Sequence, residues 1–150
     1  MKQTRVCVDT SVIGGCFDKE FAKESLALAQ AARDGPICAA ALGPLGDELR
    51  GAAPEKQAVV AALPAGAFEA VLRNDETARL RDAYLLAKVV GPQHAVDAHH
   101  IALATVWWAD LVVSWNFKHI VHWDKIRGFN AVNMREGYRS IEIRSPREVF

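Results

Sequence analysis

Short apolar runs alternate along the chain with longer segments whose apolar residues recur at helical spacing. Arg5-Val6-Cys7-Val8-Asp9 has the β-branched, bounded character of a buried strand, and Thr10-Ser11 after it can cap a helix. The first strand therefore ends on an acid. Phe21 to Arg33 is rich in Ala and Leu, with Phe21, Leu28 and Ala32 at helical spacing, and Gly35-Pro36 stops it. Ile37 to Leu42 predicts a second strand. Pro44 suits the first turn of a helix carrying Leu45, Glu48 and Leu49 as far as Gly51. Pro54 opens a further short helix to Leu63-Pro64, and Gly66 to Leu72 reads as a brief extended segment.

The second half is patterned more sharply. Asn74 is a good N-cap, Asp75 and Glu76 suit the positive end of a helix dipole, and Leu80, Tyr84 and Ala87 share a face as far as Val90. Gly91-Pro92 is the expected stop. From His94 to Trp108, residues Asp97, Ile101, Ala104 and Trp108 follow one helical stripe, which places Asp97 on an otherwise apolar face. Leu111 to Trp115 predicts another buried strand, and Asn116 follows where a helix can begin. Strands alternating with helices predict an α/β fold with a central parallel sheet of four or five strands flanked by helices. The ligand site of such a sheet lies at the carboxyl ends of the strands.

Composition narrows the class. A chain of 150 residues fits one domain spanning 1–150, and a composition of 51% hydrophobic and 24% charged residues is that of a packed globular protein. No run reaches the roughly 18 apolar residues of a membrane span, and the start leads directly into a strand, so neither membrane insertion nor secretion is expected. Cys7, Cys16 and Cys38 form no close pair and read as reduced core thiols of a cytoplasmic protein. Eighteen basic and eighteen acidic residues cancel, so net charge does not advertise nucleic-acid binding. Basic residues outnumber acids from Lys118 onward, which reads as a solvated C-terminal surface.

Asp9, Glu48, Asp97 and Asn116 each fall at a strand end or on a helix face that a parallel sheet can bring to one edge. Oxygen ligands gathered there suit Mg²⁺ or Mn²⁺. Taken singly, each acid also has a plain structural reading: Asp9 as a cap, Glu48 as a surface charge, Asp97 as a first-turn helix acid.

Four segments occur in order: Val8-Asp9-Thr10-Ser11-Val12, Glu48-Leu49 in a helix, Asp97-Ala98 with His100-Ile101-Ala102, and Leu111 to Ile120 with Trp115-Asn116-Phe117-Lys118-His119-Ile120. Together they resemble the PIN-domain proteins over nearly the whole chain, closest to the bacterial VapC-like toxin ribonuclease branch. The resemblance implies a three-layer PIN-like fold in which Asp9, Glu48 and Asp97 bind one or two divalent ions and catalyse hydrolysis of RNA. Cleavage in that family leaves 5′-phosphate and 3′-hydroxyl ends. It also implies an antitoxin partner, as for many small PIN proteins, and a homodimer, for which the alanine-rich surface from Phe21 to Ala32 is a candidate face.

The chain departs from the family pattern at Asn116, where many PIN enzymes carry a fourth acid; an amide offers an oxygen without the charge. Ser11 either orients the first acid and contacts phosphate or caps a helix. His100, three residues after Asp97, either orients that carboxylate or is a hydrogen-bonded structural histidine, and His99 points elsewhere. Lys118 and His119 can meet RNA phosphates or remain solvated. Trp107, Trp108, Trp115 and Trp123 read mostly as core residues. No G-x-G-x-x-G or P-loop pattern is present, and an aspartate phosphohydrolase would need a second Asp at position 11, which is Ser. The competing function is a PIN-like module whose site has decayed and which binds a protein partner, with Asn116 as its support.

Overall fold

The computed structural model describes residues 4–9, 23, 24, 27, 28, 30, 31, 37–41 and 68–149, with 37–41 and 68–70 described by their backbone. Ser11, Glu48 and the helices expected after Pro44 and Pro54 lie outside these residues. The protein is of the α/β class. β1 (Thr4–Val8), β2 (Ile37–Ala41), β3 (Phe68–Ala70), β4 (Leu111–Val113) and β5 (Glu142–Arg144) form one sheet in the order β3-β2-β1-β4-β5. All four pairings are parallel, with Val8 opposite both Ala41 and Val113. The chain runs outward from β1 to β3, then returns to the other side of β1 for β4. That reversal makes the junction of β1 and β4 the topological switch point.

The helices are α1 (Asp75–Leu86), α2 (Ala95–Val106), α3 (Trp123–Arg135) and the short α4 (Pro146–Val149), with a 3₁₀ turn at Pro92–His94 leading into α2. Side chains alternate across the sheet with period two. Cys7, Val112 and Ile143 pack with Leu80 and Tyr84 of α1, Ile101 and Leu103 of α2 and Phe129 of α3. Val6, Val8 and Val113 pack on the opposite face with Leu28 and Trp115. Positions 23, 24, 27, 28, 30 and 31 are helical, as expected of the Phe21 to Arg33 stretch, and Leu28 is its buried anchor.

α1 starts where the sequence places it. The Asn74 side chain accepts from the Thr77 N–H at 2.8 Å and the Asn74 N–H donates to Thr77 Oγ1 at 3.0 Å, closing a capping box. Its end is a correction: the helix stops at Leu86, Lys88 takes φ 60°, and Ala87 is exposed. α2 likewise ends at Val106, with Trp108 at φ 64° and largely solvent-exposed, so the predicted stripe loses its last member. The tryptophans also differ from expectation. Only Trp115 is buried, while Trp123 is 68% exposed. Arginines cover their faces instead, Arg5 over Trp107 at 3.7 Å and Arg127 over Trp123 at 4.6 Å.

α1, α2 and α3 are knotted by buried polar groups. Tyr84 donates its hydroxyl to Asn133 Oδ1, Asn133 Nδ2 donates to Thr105 Oγ1 at 3.2 Å, and Thr105 Oγ1 donates to the Ile101 carbonyl at 2.8 Å. Burial pushes the Tyr84 hydroxyl well above its ordinary pKa, so it remains a donor at any physiological pH. Tyr84→Phe leaves the Asn133 oxygen without its donor in a dry core. Urea unfolding should show a loss of about 1–3 kcal/mol.

His99 closes a second link between α1 and α2, with Nε2 3.0 Å from Thr77 Oγ1. Burial, then the positive charges of Arg73 and Arg81, push its pKa down to about 4. The folded protein therefore holds His99 neutral where an unfolded chain protonates it near 6.5. Between those values the unfolded state binds more protons, so this contribution is complete above about pH 6.5 and fades as pH falls toward 4. The wild-type Tm should drop from pH 7 to pH 5, and His99→Gln should drop by less.

Candidate functional site

Strand geometry builds the site. Asp9 is the residue after β1, and the Asp9 N–H donates to the Val113 carbonyl at 3.1 Å, continuing the ladder one step past the paired Val8 and Val113. Ser114 follows β4 at the same level and its N–H donates to the Arg144 carbonyl at 3.1 Å. By alternation, Asp9 falls on the side of Cys7 and Ser114 on the side of Val112, which is the face covered by α2.

There the two side chains meet. Ser114 Oγ donates to Asp9 Oδ2 at 2.7 Å, and the same Oγ accepts the Asn116 N–H at 2.9 Å. Asp9 is only 5% exposed, so its carboxylate sits in a setting where charge–dipole interactions are strong. On the helix side, His100 is equally buried, and its Nδ1 lies 3.5 Å from Asp9 Oδ1. His100, for which the sequence leaves open an orienting role at Asp97 or a structural one, thus faces Asp9. Its neighbour His99 does point elsewhere, into the Thr77 cap.

Asp97 stands one turn before His100 in the first turn of α2, half-buried, with Oδ2 4.0 Å from His94 Nδ1. The His94 ring stacks on His119, centroids 3.5 Å apart and planes 28° apart. Burial lowers the His119 pKa, as does the neighbouring His94, while Asp97 opposes them. This stack ties the start of α2 to the turn after β4. Asn116 shapes that turn: its Oδ1 accepts the His119 N–H at 3.0 Å and its carbonyl accepts from Val121 at 2.8 Å. The amide oxygen expected as a ligand is therefore engaged in capping. Lys118 lies exposed in the same turn.

The structure thus gathers Asp9, His100 and Ser114 in direct contact, with Asn116 joined to them through its backbone and Asp97 one helical turn away. Among the described residues, no three His, Cys, Asp or Glu side chains converge enough to hold a metal ion by themselves, and Glu48 is outside them. Ser114 went unpredicted because a small polar residue inside an apolar run reads as strand filler. The available signal was its register, one residue past the strand end and level with Asp9. Also among the described residues, no helix is long and apolar enough to cross a membrane.

Comparison with known proteins finds no matching family model, no matching curated protein and no matching solved structure.

The Ser114 hydroxyl serves two partners at once. Ser114→Ala removes the donor to a buried carboxylate and the acceptor of the Asn116 N–H. Stability should fall by about 1–3 kcal/mol in denaturant titration, more than for an alanine replacement at exposed Ser140.

Proposed function

We propose that the protein is a divalent-metal-dependent endoribonuclease of PIN-like, three-layer architecture, with Asp9 as its central metal-binding carboxylate. The observation that carries this reading is the position of Asp9: a buried acid at the carboxyl end of β1, at the switch point of a parallel sheet, held by Ser114 and faced by His100. Switch points are where open α/β sheets bind ligands. A buried carboxylate there is costly unless it is paired, and a hard cation is a fitting partner.

The residue types suit such an ion. Asp9 contributes carboxylate oxygen, Asp97 stands on the helix that carries His100, and Glu48 is the third acid of the ordered motifs. When bound, the ion supplies Lewis acidity toward the phosphodiester and an acidified water for attack on phosphorus. Ser114 fixes the orientation of the Asp9 carboxyl through Oδ2. His119, beside the Asn116 turn, and exposed Lys118 are the residues that would meet an RNA phosphate. RNA as substrate, an antitoxin partner and a homodimer follow from the resemblance to VapC-like proteins.

Asn116 favours one other reading. Its amide oxygen caps a turn, which is the behaviour of a structural residue in a decayed module that binds a protein. Cleavage of a labelled RNA separates the two. Wild-type protein with Mn²⁺ or Mg²⁺ should cut, and Asp9→Asn or Asp97→Asn should reduce cutting to background with the fold retained by circular dichroism. Asn116→Asp should tighten metal binding by adding charge. A wild type that neither cuts RNA nor binds either ion supports the decayed module.

A further inference from the structure

His100 presents a contradiction in hydrogen-bonding terms. Its ring is 5% exposed, and Nδ1 is fully buried with no hydrogen-bond partner. Nδ1 faces Asp9 Oδ1 at 3.5 Å. A direct N–H to carboxylate bond closes to about 2.7–3.2 Å, so this separation is too long for one. With the ring proton on Nε2, Nδ1 turns a lone pair toward the carboxylate, an arrangement that a cation beside both would satisfy. Buried polar atoms left without partners are uncommon and mark the place of an ion or water.

The separation has the size that a shared ion produces. Two donors about 2.1 Å from one ion, at angles of about 90° to 110°, lie about 3.0–3.5 Å apart. Ser114 already occupies the other Asp9 oxygen, which turns Oδ1 toward His100. The packing of α1 on α2, with His99 engaged at Thr77, fixes the helix rotation that aims His100 at the sheet.

We propose that His100 Nδ1 is a direct ligand, beside Asp9 Oδ1, of the divalent ion at this site, so that the site selects a nitrogen-tolerant metal such as Mn²⁺, Co²⁺ or Zn²⁺ over Mg²⁺. The inference rests on the reading of Asp9 as a metal carboxylate. Mg²⁺ keeps to oxygen and water, whereas imidazole suits the later divalent metals. A carboxylate-only site expresses that preference more weakly.

The test is metal binding by the full-length protein, measured by calorimetry with MnCl₂ and MgCl₂. Wild type should bind Mn²⁺ more tightly than Mg²⁺, and His100→Gln should weaken Mn²⁺ by about tenfold or more while leaving Mg²⁺ binding nearly unchanged. Where His100→Gln does not fold, wild type carrying isotopically labelled histidine and loaded with spin-active cadmium gives the answer. A scalar coupling between cadmium and His100 Nδ1 establishes the bond. Absence of that coupling, or unchanged Mn²⁺ affinity in folded His100→Gln, overturns the role of His100; if Asp9→Asn still abolishes binding, the Asp9 reading survives. A wild type that binds none of these ions overturns both.

Discussion

Burying the Asp9 carboxylate is the constraint around which this edge of the molecule is arranged. An ionised acid 5% exposed to water loses most of its hydration, and folding tolerates that only when donors or a cation replace it. Ser114, on the sheet side, donates to one carboxylate oxygen, and α2 brings a ring nitrogen to 3.5 Å from the other. The capped turn at Asn116 fixes the chain after β4, and the His94–His119 stack fixes the start of α2 against it.

The parallel sheet explains why these residues meet although His100 and Ser114 lie 91 and 105 positions after Asp9. Placing β4 beside β1 aligns Asp9 with Ser114, and alternation turns both toward α2. α2 is set in turn by the polar knot with α1 and α3 and by the close approach of α3 to the end of α1. Gly128 makes that approach workable, since a Cβ there would come within 2.8 Å of Val89 Cγ1. Stability of the helical layer and geometry of the site are thus one problem: a change at Tyr84 or Asn133 disturbs the layer that positions His100.

Much of this was legible in the sequence where the signal is local. The β1 and β4 runs are apolar and bounded, the Asn74 cap has its partner three residues on, and an acid at a strand end stands out against its neighbours. Helix ends were harder. α1 and α2 close with Lys88 and Trp108 in the left-handed region, backed by Val89 N–H to the Tyr84 carbonyl and Ala109 N–H to the Ala104 carbonyl. That motif normally advertises itself with glycine, as it does at Gly137 after α3, so the glycine and proline at 91–92 drew the expected boundary too late. α3 and β5 were not legible: where a helix can begin at Asn116 the chain makes a capped turn, α3 starts at Trp123 with apolar and polar residues evenly mixed, and β5 is three residues long. Asp97 is the partner that helical spacing offers His100, because helical neighbours are visible in a sequence, whereas Asp9 reaches it only through the fold.

The proposed role of Asp9 needs a cation beside it, and the most direct measurement is anomalous diffraction from crystals of the protein soaked in MnCl₂. A peak about 2.0–2.6 Å from Asp9 Oδ1 is the predicted result. An ordered Asp9 carboxylate with no peak beside it at saturating Mn²⁺ would contradict the account.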